Sequence, residues 1–199
     1  FLRLKTLNIP IITVLVATKP LCFPRVAEGS DAVMVAFNGG MFGGQAVAEA
    51  VFGKLNPSGK LPVSFPHHTG QIPVYYNSLP GWHGGKYVDQ PAEPLFAFGE
   101  GFGYAHFVYQ NLRFDEKTLT LSATLTNTGT VHGAETVQVY VRDLVSSVLT
   151  PVKRLIAFQK TTLEPGETRE LCFQLKSEDF SLMLPNERRV IESGDFRLM

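Results

Sequence analysis

The sequence has few cysteines, no long apolar run and no excess charge of either sign. Its two cysteines, Cys22 and Cys172, are too few for a disulfide scaffold or a zinc site. The longest apolar run, residues 11–17, is far shorter than the roughly 18 residues that a membrane span requires. Eighteen basic and eighteen acidic residues give zero net charge, which argues against a basic surface for nucleic acid. We therefore expect neither a nucleic-acid nor a membrane partner.

What the sequence does contain is enough apolar material for a folded core. Hydrophobic residues make up 44% of the 199 positions, which suits one large domain or two small ones. Residues 1–106 carry only 13 charged side chains, whereas residues 107–199 carry 23, so we place a domain boundary near Phe107. Because the chain begins with Phe1 and ends within a predicted strand, we expect it to be part of a longer polypeptide.

The first part of the chain is predicted to be α/β. Residues 11–16 and 32–37 are apolar, β-branched runs typical of parallel strands, and residues 17–31 can form the crossover between them. Residues 45–52 are predicted to form a helix that Gly53 ends. Two strands and one helix are too few to stand alone, so we interpret this part as the end of a larger sheet domain.

Residues 55–106 show no helix or strand periodicity, whereas the part of the chain after residue 107 shows the alternation typical of strands. The middle stretch is rich in proline and aromatic residues, which indicates a functional loop or a wrapping linker. Period-two alternation over 119–125 and 136–141, with further short strands, predicts a seven-strand sandwich of immunoglobulin or fibronectin III type. The predicted fold is α/β followed by all-β: a partial sheet domain over 1–76, a connecting loop over 77–106 and a β-sandwich over 107–199.

The glycine cluster at residues 39–44 does not match a nucleotide-binding loop. Gln45 and Ala46 follow it where a Walker loop needs Lys and Ser or Thr, and Met41 occupies a position where the dinucleotide pattern needs glycine. Two interpretations stay open: a turn that needs positive φ, or a backbone that approaches a polar ligand at the end of a strand. The adjacent His67 and His68 would point to opposite faces of a strand, so we expect no metal and no cofactor.

The carboxylates in the first part of the chain are its candidate catalytic residues, because glycoside hydrolysis needs two carboxyl groups across the scissile bond. Two of them lie in the aromatic loop, where Trp82 and Tyr87 could stack on a sugar ring. For each carboxylate the alternative is a plain surface or turn position. The candidates are Glu28, Asp31, Glu49, Asp89, Glu93 and Glu100.

Several segments together resemble glycoside hydrolase family 3, the family of β-glucosidases, β-xylosidases and relatives. Residues 46–66 (AVAEAVFGKLNPSGKLPVSFP) are similar to the signature near the end of its α/β sandwich domain. Residues 86–89 and 94–104 resemble the passage that leads into its C-terminal domain. Residues 127–129, 133–141, 154–160 and 163–167 resemble its fibronectin III-like domain.

The resemblance implies a retaining mechanism whose catalytic residues this chain lacks. In the family, an Asp nucleophile in a Ser-Asp-Trp/Tyr context comes from an N-terminal TIM-type barrel, and a Glu acid/base comes from an earlier loop. Ser30 and Asp31 are followed by Ala32 and open a strand, so we reject Asp31 as the nucleophile. We expect the C-terminal part of an enzyme that removes β-linked glucose or xylose from the non-reducing end of oligosaccharides or glycosides. This segment alone would be inactive, and its partners would be the barrel domain and the glycoside.

Two segments, the glycine turn over residues 38–44 and the proline-rich loop over residues 67–93, are predicted to border the mouth of the active site in the parent enzyme. They contain the candidate substrate-proximal residues Gly39, Gly40, Met41, Trp82, His83, Tyr87 and Asp89. An alternative is a non-catalytic carbohydrate-binding or scaffold module in which Tyr140 and Phe158 stack on sugars, although core positions are favoured for both. A third is a subunit that pairs with a separately encoded barrel chain. The sequence does not indicate a cellular compartment.

Overall fold

A computed structural model of the chain describes residues 1–81, 87–88 and 90–199, which divide into two compact units. The first unit contains Phe1–Leu55, Leu61–Tyr76 and the described residues between 83 and 100. The second contains Asn56–Lys60, the described residues between 77 and 82, and Gly101–Met199. Described residues of the proline-rich stretch 77–106 therefore belong in part to each unit.

The first unit contains the predicted parallel strand pair. Strand β1 (Ile12–Leu15) pairs in parallel with β2 (Ala32–Val35), with Ile12 opposite Ala32. The crossover holds a short helix, α2 (Pro24–Gly29), whose first-turn proline fits because that position needs no N–H donor. Another short helix, α1 (Leu2–Lys5), precedes β1.

Helix α3 (Gly43–Val51) follows β2 after a single 3-10 turn over Gly40–Phe42. It starts two residues earlier than predicted and buries Ala50. Gly53 ends it with a φ of 74°, the left-handed conformation that favours glycine at this position. None of the described helices is long and apolar enough to cross a membrane.

The second unit is built from two three-stranded antiparallel sheets. One has the order β3-β4-β7, with β3 over Phe107–Asp115, β4 over Thr120–Asn127 and β7 over Thr168–Gln174. The other has the order β10-β5-β6, with β5 over Gly133–Asp143, β6 over Arg154–Leu163 and β10 over Phe196–Leu198. A separate two-stranded ladder pairs β8 (Leu182–Met183) with β9 (Arg189–Val190). The seven-strand count is therefore not confirmed, although the sandwich itself is as predicted.

The core of this unit lies between the two sheets. Burial alternates along β4 and β5 with the period of a strand, so one face of each points inward. Strands of both sheets contribute to one buried cluster: Leu121, Leu125, Val137, Val139, Leu163, Leu171, Phe173 and Leu175.

Candidate functional site

The turn between β2 and α3 is shaped by two glycines for different reasons. Gly40 has a φ of 61°, where a side chain would be strained. A Cβ at Gly39 would lie 2.5 Å from the Cα of Gly43, so only glycine fits there. Met41 is 93% exposed and Phe42 is 72% exposed. The turn thus presents apolar side chains at the carboxyl end of a parallel strand, where α/β folds commonly bind ligands.

A cluster of phenylalanine rings connects this turn with the proline-rich loop. The ring of Phe65, which is fully buried, lies 6.2 Å from Phe23, 6.3 Å from Phe37 and 6.2 Å from Phe96 between centroids. Phe37 immediately precedes the glycine turn, and Phe65 exchanges backbone hydrogen bonds with the segment around Phe96. The glycine turn and the two ends of the proline-rich loop are therefore anchored in the same aromatic cluster.

The loop beyond Phe65 is held by the buried side chain of Gln71. Its Oε1 accepts a hydrogen bond from the amide of His67 at 2.8 Å. Its Nε2 donates to the carbonyl oxygens of Ala92 at 2.8 Å and Glu93 at 2.9 Å. Only 3% of Gln71 is exposed. One amide therefore fixes both ends of the segment that contains the predicted sugar-stacking residues.

The structure brings Tyr87 together with a histidine that was not among the predicted site residues. The rings of His68 and Tyr87 meet edge to face, with centroids 5.2 Å apart. His68 Nε2 is buried and has no hydrogen-bond partner among the described residues. The predicted site residues Trp82, His83 and Asp89 lie outside the described residues. Adjacent histidines give no periodic signal, so the sequence alone did not separate His68 from His67.

Three of the described carboxylates of the first unit act as local hydrogen-bond acceptors. Asp31 accepts from the amide of Ile11 at 2.8 Å, which joins the starts of β1 and β2. Glu49 accepts from Gln45 at 2.7 Å, and Glu100 accepts from the amide of Ala97 at 2.7 Å. Within the described residues there is also no group of three or more potential metal ligands.

An ion pair in the second unit gives Lys60 a structural role. Lys60 Nζ lies 3.1 Å from Glu135 Oε1 and donates to the carbonyl oxygen of Gly101 at 2.7 Å. The hydroxyl of Tyr109 also donates to Glu135, at 3.1 Å. Partial burial and the negative charge of Glu135 raise the pKa of Tyr109, so the phenol stays protonated and keeps donating. Lys60 therefore ties the segment Asn56–Lys60 to β5 within the second unit.

The two aromatic residues considered for the alternative module differ in exposure. Phe158 on β6 is 69% exposed, so the favoured core position is wrong for it. The reason is the strand period, because Thr161 and Leu163 on the same strand point inward while Phe158 occupies the outer face. Tyr140 is half-buried, and Lys153 Nζ lies 4.9 Å from its ring centroid.

Two family models match the chain in the order that the sequence segments indicated. Residues 2–104 match the glycosyl hydrolase family 3 C-terminal domain, and residues 135–199 match the fibronectin type III-like domain. The chain belongs to glycoside hydrolase family 3. The predicted family membership is thus confirmed, and so is the succession of an α/β part and a fibronectin III-like part.

Relatives of this family 3 chain are glycosidases much longer than the chain. A beta-xylosidase of Formosa agariphila is 39% identical over 95% of the chain, and a periplasmic beta-glucosidase of Salmonella typhimurium is 35% identical over 98%. The chain covers only 27% and 28% of those two proteins. Among solved structures, a beta-glucosidase from Listeria innocua in complex with glucose superposes with a TM-score of 0.90 at 36% identity, and the match covers 98% of this chain and 29% of that one.

Proposed function

We propose that this chain is the C-terminal part of a retaining β-glycosidase that releases β-linked glucose or xylose from the non-reducing end of oligosaccharides or glycosides. The observation that carries the proposal is the ordered match of both family models, together with relatives named beta-xylosidase and beta-glucosidase. The nucleophile and the acid/base come from segments outside these 199 residues, the nucleophile from a TIM-type barrel domain.

The local roles of the carboxylates support this assignment. A retaining glycosidase needs two carboxyl groups about 5–5.5 Å apart, facing a sugar. Asp31, Glu49 and Glu100 instead accept hydrogen bonds from neighbouring backbone or side-chain donors. These contacts tie the three carboxylates to local structure, which favours the surface or turn alternative for them.

Hydrolysis of 4-nitrophenyl β-glucoside and β-xyloside by the 199-residue chain tests the missing catalytic pair. We expect no hydrolysis above the uncatalysed rate measured in buffer alone. Variants Asp89→Asn and Glu93→Gln serve as controls for the aromatic loop. Turnover that either variant abolishes would show that the chain contains its own catalytic carboxylate and would refute the proposal.

In the parent enzyme, the glycine turn and the proline-rich loop border the sugar site. The residues assigned to this border are Gly39, Gly40, Met41, Trp82, His83, Tyr87 and Asp89. The assignment is supported by the position of the turn at the carboxyl end of β2 and by the phenylalanine cluster from which both segments start.

Kinetics of a polypeptide that includes the barrel domain test this border. Trp82→Ala and Tyr87→Ala should raise KM for a β-glucoside about tenfold, because stacking on a sugar ring contributes roughly 1 kcal/mol or more. Phe52→Ala is the matched control, since Phe52 is an aromatic residue that is 83% exposed beyond the far end of α3. Equal KM values in all three variants would remove these residues from the site.

A further inference from the structure

The outer face of the sheet β10-β5-β6 carries a surplus of basic side chains. Residues of β5 alternate between the core and this face, so Val141 is buried while Arg142 is exposed and points outward. The register extends the same face onto the neighbouring strands, because Arg197 of β10 lies opposite Arg142, and Phe158 of β6 lies opposite Gln138. At the outward positions of the three strands and their immediate flanks, four basic side chains stand against one acidic side chain: Arg142, Lys153, Lys160 and Arg197 against Asp195.

Two arginines of this face lie directly opposite each other. Arg142 and Arg197 form a cross-strand pair of the antiparallel ladder, and both side chains are exposed. Like charges in directly opposite positions destabilise a sheet. The ion pairs of the described residues include neither arginine, although Asp195 lies two positions before Arg197. A carboxylate bound between the two guanidinium groups would therefore relieve their repulsion.

The two lysines distribute the positive charge along the face. Lys153, one residue before β6, has its Nζ 4.9 Å from the ring centroid of Tyr140, which places it on the outer side of the sheet. Lys160 lies opposite Thr136, six residues before Arg142 on β5. Six residues of a strand span about 20 Å. Charges spaced over such a length suit a chain with repeated negative groups better than one small anion.

An exposed aromatic ring lies between the two ends of this row of charges. Phe158 is 69% exposed and lies opposite Gln138, between the position of Lys160 and that of the two arginines. The face of a phenyl ring packs well on the C–H groups of a pyranose, whereas it has no favourable contact with an isolated carboxylate or phosphate. The combination suits a chain whose units each carry an apolar ring face and a negative charge.

From this arrangement we infer that the outer face of the sheet β10-β5-β6 binds an acidic polysaccharide whose sugar units carry carboxylates. A guanidinium group binds a carboxylate through two parallel hydrogen bonds, so Arg142 and Arg197 hold the charged groups while a sugar ring stacks on Phe158. The zero net charge of the whole chain does not report this local surplus, because charges elsewhere balance it. The charge argument rests on the second unit alone, and the choice of a carbohydrate over another polyanion rests on the proposed function.

Calorimetric titration of the 199-residue chain with an oligogalacturonate tests the inference, with cellohexaose as the neutral reference. We expect saturable binding of the oligogalacturonate at low salt with a dissociation constant of about 0.1–1 mM. The affinity should fall about tenfold between about 0.01 M and about 0.15 M NaCl, because salt screens exposed charges. Cellohexaose lacks the carboxylates, so it should give no saturable heat.

Single substitutions locate the binding surface. Arg142→Gln and Arg197→Gln should each weaken oligogalacturonate binding about tenfold, because a charge-assisted contact is lost. Neither variant should melt below the wild type, because each removes one of two opposed like charges. Phe158→Ala should weaken binding about fivefold through the loss of stacking. Arg113→Gln is the matched control and should bind normally, since Arg113 is an exposed arginine on β3 of the other sheet.

A single-stranded DNA of similar length separates the acidic sugar from another polyanion. DNA binding as tight as that of the oligogalacturonate would assign the face to a general polyanion and overturn the inference. Equal affinity for cellohexaose, no saturable heat with the oligogalacturonate, or an equal loss in Arg113→Gln would overturn it as well. Binding is measured here without turnover, so these outcomes are distinct from a failure of the proposed hydrolysis.

Discussion

Replacement of Gln71 by leucine should loosen the proline-rich loop without unfolding the rest of the chain. The side chain makes one hydrogen bond as acceptor, from His67, and two good ones as donor, to Ala92 and Glu93. Leucine has a similar volume but cannot accept or donate. Three backbone groups therefore lose their partner while the packing volume stays nearly the same.

The expected cost follows from how exposed those backbone groups are. A buried group left without a partner costs about 1–3 kcal/mol. Glu93 is exposed, so water can replace the lost donor at its carbonyl, whereas His67 and Ala92 are half-buried. We therefore expect the free energy of opening this loop to fall by about 2–3 kcal/mol in Gln71→Leu, counting the two half-buried groups.

Amide hydrogen exchange measures this loss locally. The amides of Phe65 and Leu95 are hydrogen-bonded across the base of the loop and should exchange about 30- to 150-fold faster in Gln71→Leu. Gln45→Leu is the matched control, because Gln45 makes a single exposed hydrogen bond to Glu49 on α3. Its effect should stay below about 0.5 kcal/mol.

A second substitution gives the prediction a pH signature. In Gln71→Glu the carboxylate still accepts from His67 but faces two carbonyl oxygens, so it should be more destabilising than leucine at pH 7. Protonation restores a donor, so the introduced carboxyl should have a folded-state pKa above the ordinary value of about 4.3. The deficit relative to wild type should be smallest below about pH 4.3 and should grow as the pH rises from there through the higher folded-state pKa. Equal exchange rates in Gln71→Leu and Gln45→Leu, or a pH-independent deficit in Gln71→Glu, would refute this reasoning.

Three further predictions concern other parts of the chain. Asn127→Ala should lower the free energy of unfolding in urea by about 2–4 kcal/mol, because the side chain is fully buried and makes three hydrogen bonds. Hydrogen bonds from the hydroxyl and, to a smaller extent, the amide of Ser147 lower the pKa of Glu192. The contact between Ser147 and Glu192 should therefore be complete above about pH 4.3 and should weaken as the pH falls through the lower folded-state pKa. The chemical shift of the Ser147 amide should follow this transition, and Glu192→Gln should abolish it. Gly133→Ala should lower the melting temperature, because a Cβ there would lie 2.5 Å from a neighbouring methyl group, whereas Gly44→Ala, with open space in α3, should raise stability by up to about 1 kcal/mol.

The parts of the fold that the sequence predicted are those with a strong local pattern. The β-branched run before Val16 predicted β1, and the structure pairs it in parallel with β2. The helix predicted over residues 45–52, with Gly53 at its end, matches α3 to within two residues. In each case the local preference and the tertiary environment favour the same conformation.

Strand β3 escaped sequence analysis because its pattern is interrupted. The pairing with β4 shifts register between Gln110 and Arg113, and Asn111 adopts a φ of 54°. An extra residue of this kind reverses the inward and outward positions, so period-two alternation does not persist along the strand. Most of its side chains are also exposed, which leaves little hydrophobic contrast to detect.

The organisation of the candidate site could not be read from the sequence for a different reason. Gln71 is a polar residue in a proline-rich loop, and such positions are usually exposed. Its partners Ala92 and Glu93 are more than 20 residues away, so their contact depends on how Phe65 and Phe96 pair. Similarly, the Lys60 ion pair joins residues 75 positions apart. Periodicity and spacing describe neighbours along the chain and do not report such long-range partners.

The parallel pair β1 and β2 has a practical consequence for handling this chain. Within the described residues the pair is a sheet of only two strands, so the outer edge of each strand presents unpaired backbone N–H and C=O groups. Ile12 at the start of β1 is 49% exposed and Val16, just after its end, is 69% exposed, so apolar side chains are accessible beside this strand. Unpaired strand edges of this kind can pair with strands of other molecules. We therefore expect the isolated chain to aggregate through these strand edges at high protein concentration, at temperatures where the β-sandwich is still folded.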